Sequence, residues 1–219
     1  MKLIFDFDST IITSETIELL TDICIKNEDL PSIRSRVESI TNKAMNGDLS
    51  FKDALKQRLE ILSLKRDHID QMKNEIKKYL SPSVKRHRKF FKNNKKDIFV
   101  VSGGFTEIIL EVSRDLELLD NQVFGNTLLF EGDRVVGFDP SNPLCESGGK
   151  SIRAKSLNLE KPSIIIGDGF TDYEIKRDGQ ATYFAAYTEN IHRKKIVELA
   201  DFNVSSMDEL LEIIKKTKE

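Results

Sequence analysis

Cysteine is nearly absent from this chain: Cys24 and Cys145 are the only two among 219 residues, and they stand far apart. Neither fits the spacing of a zinc or redox site, which leaves both as reduced, packed thiols. The three histidines, His68, His87 and His192, do not cluster either. No apolar run approaches the roughly 18–20 residues that a membrane span needs. The opening Met1-Lys2-Leu3-Ile4-Phe5-Asp6 breaks its first apolar run with a carboxylate, unlike a signal peptide. An excess of one charge is lacking too: 34 Lys+Arg against 36 Asp+Glu give a formal net charge of −2 and a pI near 6.0. That balance argues against a surface built for nucleic acid. Internal repeats and low-complexity segments are missing. The expectation is a cytoplasmic protein with neither membrane nor nucleic-acid partner.

What is present is an alternation. Short β-rich apolar runs, Lys2–Phe7, Asp97–Val101, Ser163–Ile166, Ala181–Ala185 and Phe202–Val204, end in or near Gly, Asp or Ser. They are apolar on both faces, as strands of a helix-covered parallel sheet are. Helical patterns lie between them near 105–118, 150–158, 171–178 and 190–199, with a last one over Met207–Lys216. This order predicts an α/β fold of three layers. Residues 127–138 carry a β-hairpin signal around Glu131-Gly132-Asp133.

One stretch departs from the alternation. Between Thr13 and Leu80 there is only helical periodicity: Ile33, Val37, Ile40 and Ala44 form one stripe, and Ile69, Met72, Ile76 and Tyr79 another. Ser50 with Asp53 reads as a capping box that opens a helix bearing Phe51, Leu55, Leu59 and Leu62. The expected organisation is therefore a core of residues 1–12 and 81–219 with a helical bundle, 13–80, inserted after the first strand. The basic run Lys85–Lys96 reads as the wet face of a helix that tucks Phe90 and Phe91 inward.

Chemistry-bearing residues fall at the ends of the expected strands. Asp6 and Asp8 stand two residues apart at the first strand's end, so a strand would project them together at the carboxyl edge, where open α/β sheets bind ligands. Two carboxylates so close need a cation or a shared proton; the plainer reading makes them turn formers. Ser102-Gly103-Gly104 ends the second strand and offers a hydroxyl and open backbone N–H groups to a phosphate oxygen. Gly148-Gly149-Lys150-Ser151 resembles a Walker A loop at first sight, but Leu144 stands where that motif needs glycine. Lys150 can still neutralise a phosphate. Gly167-Asp168-Gly169-Phe170-Thr171-Asp172 adds two more carboxylates at a strand end, suited to Mg²⁺.

In order, Asp-Phe-Asp-Ser-Thr, Val-Ser-Gly-Gly, the Gly-Gly-Lys lysine and Gly-Asp-Gly-Phe-Thr-Asp match the four motifs of the haloacid dehalogenase superfamily of phosphatases. The helical insertion resembles that superfamily's cap, and within it the likeness is nearest to the phosphoserine phosphatases. The resemblance implies a Rossmann-like core with a helical cap, Asp6 as nucleophile and Asp8 as acid/base. Ser102, Gly103, Gly104, Lys150 and Thr171 would bind the phosphoryl group. Asp6, the Asp8 carbonyl and Asp168 would ligate Mg²⁺, with Asp172 supporting them. The residues fit this chemistry on their own terms, since a carboxylate nucleophile splits ester hydrolysis into two displacements and one acid/base can serve both.

Substrate choice is expected in the insertion. Arg58 falls on the stripe of Phe51, Leu55 and Leu62, so its guanidinium is carried beside an apolar face. Glu15 lies at the entrance to the insertion. By the resemblance, Glu15 and Arg58 would bind a substrate's ammonium and carboxylate, and Met45 and Phe51 would line the pocket. A zwitterion needs one anion and one planar cation; the competing reading is a structural ion pair between the two. The activity this implies is hydrolysis of phosphoserine in serine biosynthesis. A capped phosphatase or phosphotransferase for another small phosphometabolite stays open, as does a binding domain without turnover.

Overall fold

The computed structural model describes residues 1–25, 29–45 and 48–217, apart from the side chains of Asn42 and Met45. Six strands form one parallel sheet in the order β3-β2-β1-β6-β7-β8. They are β1 (Lys2–Phe5), β2 (Ile98–Phe105), β3 (Val123–Asn126), β6 (Ser163–Gly167), β7 (Tyr183–Tyr187) and β8 (Phe202–Val204). A separate hairpin pairs β4 (Leu128–Glu131) with β5 (Arg134–Phe138).

Alternation along the strands builds the layers. Leu3 and Phe5 of β1, with Ile164 and Ile166 of β6, enter one core, while Ile4 and Ile165 enter the other. The first core is covered by α6 (Arg88–Asn93), α7 (Thr106–Asp115) and α11 (Met207–Lys216), through Phe91, Ile108, Val112, Leu210 and Ile214. The second is covered by α8 (Gly149–Leu157), α9 (Phe170–Arg177) and α10 (Lys194–Leu199), through Ala154, Ile175 and Ile196. Strands buried on both faces read as unbroken apolar runs for this reason.

Between β1 and β2 the chain forms α1 (Thr16–Cys24), α2 (Leu30–Met45), α3 (Phe51–Leu62) and α4 (Arg66–Glu75), then a 3₁₀ turn over Ile76–Tyr79 and α5 (Pro82–Arg86). Ser50 caps α3 by accepting from the Asp53 N–H at 3.1 Å, as its sequence suggests. The stripes expected on these helices pack inward at Val37, Ile40, Ile69, Met72 and Ile76. Departure and return lie side by side: Ile12 bridges Leu80, the Thr13 N–H donates to Tyr79 O at 2.8 Å, and the Ser81 N–H to Ile11 O at 3.0 Å. The hairpin joins this helical insertion through its backbone. The Val135 N–H donates to Leu64 O at 2.9 Å, the Arg66 N–H donates to Asp133 O at 2.8 Å, and the Arg66 guanidinium stacks over Phe130.

Several expected boundaries need correction. The strand expected to reach Phe7 stops at Phe5, because the Phe7 carbonyl turns to accept from the N–H groups of Thr10, Ile11 and Ile12. The strand expected to stop at Val101 runs on to Phe105, kept extended by an irregular pairing with β3. That strand, β3, carried no recognised signal. The run expected over Ala181–Ala185 lies two residues later, and α10 starts only at Lys194. Among the described residues no helix is long and apolar enough to cross a membrane.

Candidate active site

The carboxyl ends of β1, β2 and β6 meet at the centre of the sheet, where β1 has neighbours that cross over in opposite directions, the place open α/β sheets reserve for ligands. Asp6 leaves β1 there. Its N–H still donates to Ile166 O at 2.9 Å, which fixes its backbone against β6. Its carboxylate is 6% exposed and accepts from the Phe7 N–H at 2.7 Å. Lys150, in the first turn of α8, sets its ammonium 2.7 Å from Asp6 Oδ1 and 2.8 Å from Asp172 Oδ1. Burial works against the charge on Lys150, but Asp172 and Asp6 outweigh it and hold the ammonium protonated well above its ordinary range.

Asp172 is fully buried in the first turn of α9, and its second oxygen accepts from the Gly169 N–H at 3.0 Å. This approach requires glycine at 167, since a Cβ there would lie 2.3 Å from Asp172 Cγ. Asp168, just past β6, accepts from Arg193 Nε at 2.9 Å. Burial, with Asp6 and Glu15 nearby, pushes Asp168 up to about 6 despite Arg193. Burial and Asp6 push Asp172 up to about 8 despite Lys150.

Oxygens of Asp6, Asp168 and Asp172 lie within 4.8 Å of one another. Crowded, buried carboxylates of this kind are a hard, all-oxygen donor set that suits a small divalent cation. Both Asp172 oxygens already have partners, Lys150 and the Gly169 N–H, so its place is to brace the set.

Asp8 converges on Asp6 through the turn after β1, not through the strand alternation expected from the sequence. Its Oδ1 accepts from both the N–H and the hydroxyl of Thr16, the N–H at 2.9 Å. Its Oδ2 lies 3.1 Å from where a side chain on Gly104 would begin. Burial, then Glu15 and Asp6, push Asp8 well above the usual carboxylate range, against the pull of Thr16. Ser102 is buried, and its hydroxyl accepts from the Gly104 N–H at 3.0 Å. Asn126 on β3 donates to Gly103 O at 2.8 Å and so pins this bend. Thr171 is exposed beside Asp172.

The insertion closes over these groups. Phe51, at the start of α3, presses its ring on Gly103: a Cβ there would lie 2.8 Å from Phe51 Cζ. The neighbouring Lys52 pairs with Glu146, which precedes α8. Arg58 is 9% exposed, donating from Nε to Ala54 O at 3.1 Å and from Nη1 to Thr41 Oγ1 at 3.5 Å. Burial lowers its basicity, opposed by the charges of Glu15 and Asp8. Glu15 immediately precedes α1 and accepts from the Ser9 hydroxyl at 2.7 Å. Burial and Asp6 push Glu15 up, opposed by Ser9 and Arg193. Among the described residues neither Arg58 nor Glu15 has an ion-pair partner, so the structural pair weighed from sequence does not form. The Met45 side chain lies outside the described residues.

Sequence reasoning missed Arg193, Asn190, Thr16 and Thr41. Arg193 and Asn190 sit on the irregular segment between β7 and α10, where the helical pattern expected from 190 has not yet begun. Asn190 Nδ2 reaches Ser81 Oγ at 2.7 Å, Ser9 O at 3.0 Å and Ile12 O at 3.2 Å, tying the two connecting segments together.

Known proteins resemble this chain along most of its length. Residues 3–176 match the model of the haloacid dehalogenase-like hydrolases. The chain is 33% identical over 211 residues to phosphoserine phosphatase of Mus musculus, covering 94% of this chain and 90% of that protein. It is 29% identical over 224 residues to phosphoserine phosphatase of Methanocaldococcus jannaschii, with 99% and 97% covered. The structure of a phosphoserine phosphohydrolase-like protein from Francisella tularensis superposes with a TM-score of 0.85 at 33% identity, covering 98% of this chain and 100% of that one.

Proposed function

The chain belongs to the haloacid dehalogenase-like hydrolases, and from that premise we propose that it hydrolyses O-phospho-L-serine to serine and phosphate, the closing step of serine biosynthesis in the cytoplasm. It is a phosphoric monoester hydrolase of α/β fold. The observation that carries the substrate is a pair of charges in the pocket: a buried guanidinium, Arg58, and a half-buried carboxylate, Glu15, neither with an ion-pair partner among the described residues. Buried charges left so are costly unless a ligand completes them. A substrate bearing one carboxylate and one ammonium completes both.

In this reading residues 13–80 form the cap and the remainder the core. Asp6 attacks phosphorus and forms an aspartyl-phosphate, while Asp8, protonated at the outset, gives its proton to the departing serine oxygen. Asp8 then takes a proton from water as that water attacks the aspartyl-phosphate, which frees inorganic phosphate and restores Asp6. The Ser102 hydroxyl, the N–H groups of Gly103 and Gly104, the Lys150 ammonium and Thr171 hold the phosphoryl oxygens. Mg²⁺, held by Asp6, Asp168 and the Asp8 carbonyl, would supply neutralising charge between nucleophile and phosphate. Phe51 and Met45 line the apolar side of the pocket, and no nucleic acid or membrane takes part.

The test is a panel of phosphomonoesters assayed with Mg²⁺ and with EDTA, one series including an added alcohol acceptor. Phosphoserine should give the highest kcat/KM, with loss of activity in EDTA and phosphate released to water. A clear preference for a phosphomonoester without an amino acid head would refute the assignment.

A further inference from the structure

Ser9 follows Asp8 with φ +52°, in the left-handed region where a serine is uncommon. Its surroundings over-determine this backbone. The Ser9 N–H donates to Ser14 O at 3.3 Å, and the Ser9 carbonyl accepts from Asn190 Nδ2 at 3.0 Å. The consequence is local: the hydroxyl, on a residue only 4% exposed, is directed at Glu15 Oε1, 2.7 Å away. Glu15 stands at the cap position of α1 yet makes no capping hydrogen bond, so its carboxylate is turned into the site. Carboxylates of Asp6, Asp8 and Asp168 surround it electrostatically. A side chain so placed needs a neutral donor to keep one orientation when no cation is bound.

We propose that Ser9 is a positioning residue for amine recognition: its hydroxyl fixes Glu15 Oε1 so that the other oxygen meets the substrate ammonium. The inference rests on the reading of Glu15 given above. It makes the strained serine part of substrate choice, not of the phosphoryl chemistry next door. Glycine would suit the backbone better and alanine would suit it no better than serine, so the two replacements separate strain from hydroxyl.

The experiment compares the intact enzyme with Ser9→Ala, Ser9→Gly and Glu15→Gln. Each is assayed on phosphoserine and on 3-phosphooxypropanoate, the same skeleton without the amine. The readout is the ratio of kcat/KM for the two substrates. Loss of one hydrogen bond to a charged group predicts a fall of about tenfold in that ratio for both serine variants, expressed mainly in the KM for phosphoserine. Restoration of the ratio by Ser9→Gly, or an equal loss on both substrates in Ser9→Ala, would overturn the proposal and assign Ser9 a backbone role. An amine-selective loss in Glu15→Gln without one in either serine variant sinks the inference alone. An unselective loss in Glu15→Gln sinks the reading of Glu15 and the inference with it.

Discussion

Phe51 and Gly103 touch across the boundary between insertion and core, so closely that a methyl group on residue 103 would begin 2.8 Å from the Phe51 ring. The contact sets the ceiling of the site directly over the Ser102–Gly104 bend. Gly103→Ala should therefore push the ring away and unseat α3. The expected loss in kcat/KM is about tenfold to a hundredfold, the scale of a displacement near one ångström. Unfolding temperature should barely change. Phe51→Ala combined with Gly103→Ala should cost less than the sum of the two, which a double-mutant cycle measures.

Asp6→Asn should lower turnover of phosphoserine by roughly 10³-fold or more, because a carboxamide cannot attack phosphorus as a carboxylate does. Lys150 keeps Asp172 as an ion-pair partner in this variant, so a normal circular dichroism spectrum and unfolding curve are expected. Near-normal turnover would remove Asp6 from the mechanism.

Arg58 invites a prediction in which stability and activity move apart. It is a buried cation without an ion pair among the described residues, and a well-packed apolar side chain of similar length avoids that desolvation cost. Arg58→Met should raise the unfolding temperature by about 2–4 °C while raising KM for phosphoserine far more than for an aryl phosphate. Equal effects on both substrates would argue against carboxylate binding.

The acidic set should make metal binding depend on pH. Asp168 is pushed up to about 6 and Asp172 up to about 8, both above the ordinary value of 3.8, and burial is the first cause in each. A raised folded-state value stabilises the metal-free protein at low pH, and that contribution is lost as pH rises through 6 and then 8. In EDTA the unfolding temperature should fall across this window. Mg²⁺ should bind more tightly across the same window, since Asp168 holds it only when ionised and Asp172, once ionised, adds attracting charge beside it. The stabilisation by Mg²⁺, measured by thermal unfolding at pH 5.5, 7 and 8.5, should grow with pH.

Much of this site was legible because its groups stand at the ends of apolar runs. Asp6, Ser102 and Asp168 interrupt or follow such a run, Lys150 and Asp172 open the helices beyond, and the fold brings them together. The register was less legible. Asp6 and Asp8 converge through a turn around the Phe7 carbonyl, a backbone choice that leaves no period in the sequence. β3 escaped notice because Val123–Asn126 is short, contains a glycine and gains its order from pairing with β2. Arg193 and Asn190 act from an irregular segment, where position depends on the packed neighbours of β7. Arg58 was readable from its spacing along the stripe, but its lack of an ion-pair partner among the described residues is a property of three dimensions alone.

The hairpin at Leu128–Phe138 alters what it means for the helical insertion to be attached. By chain order it comes after β3 and counts with the sheet, yet its backbone is stitched to Leu64 and Arg66. The covering body is thus moored at two places along its rim: at the paired segments Ile12 and Leu80, and at the turn of the hairpin. A door on one hinge can swing freely; a flap held at two edges can only bow or shear. Any opening must either carry the hairpin along or break its two backbone hydrogen bonds, and on the far side it must also part Lys52 from Glu146.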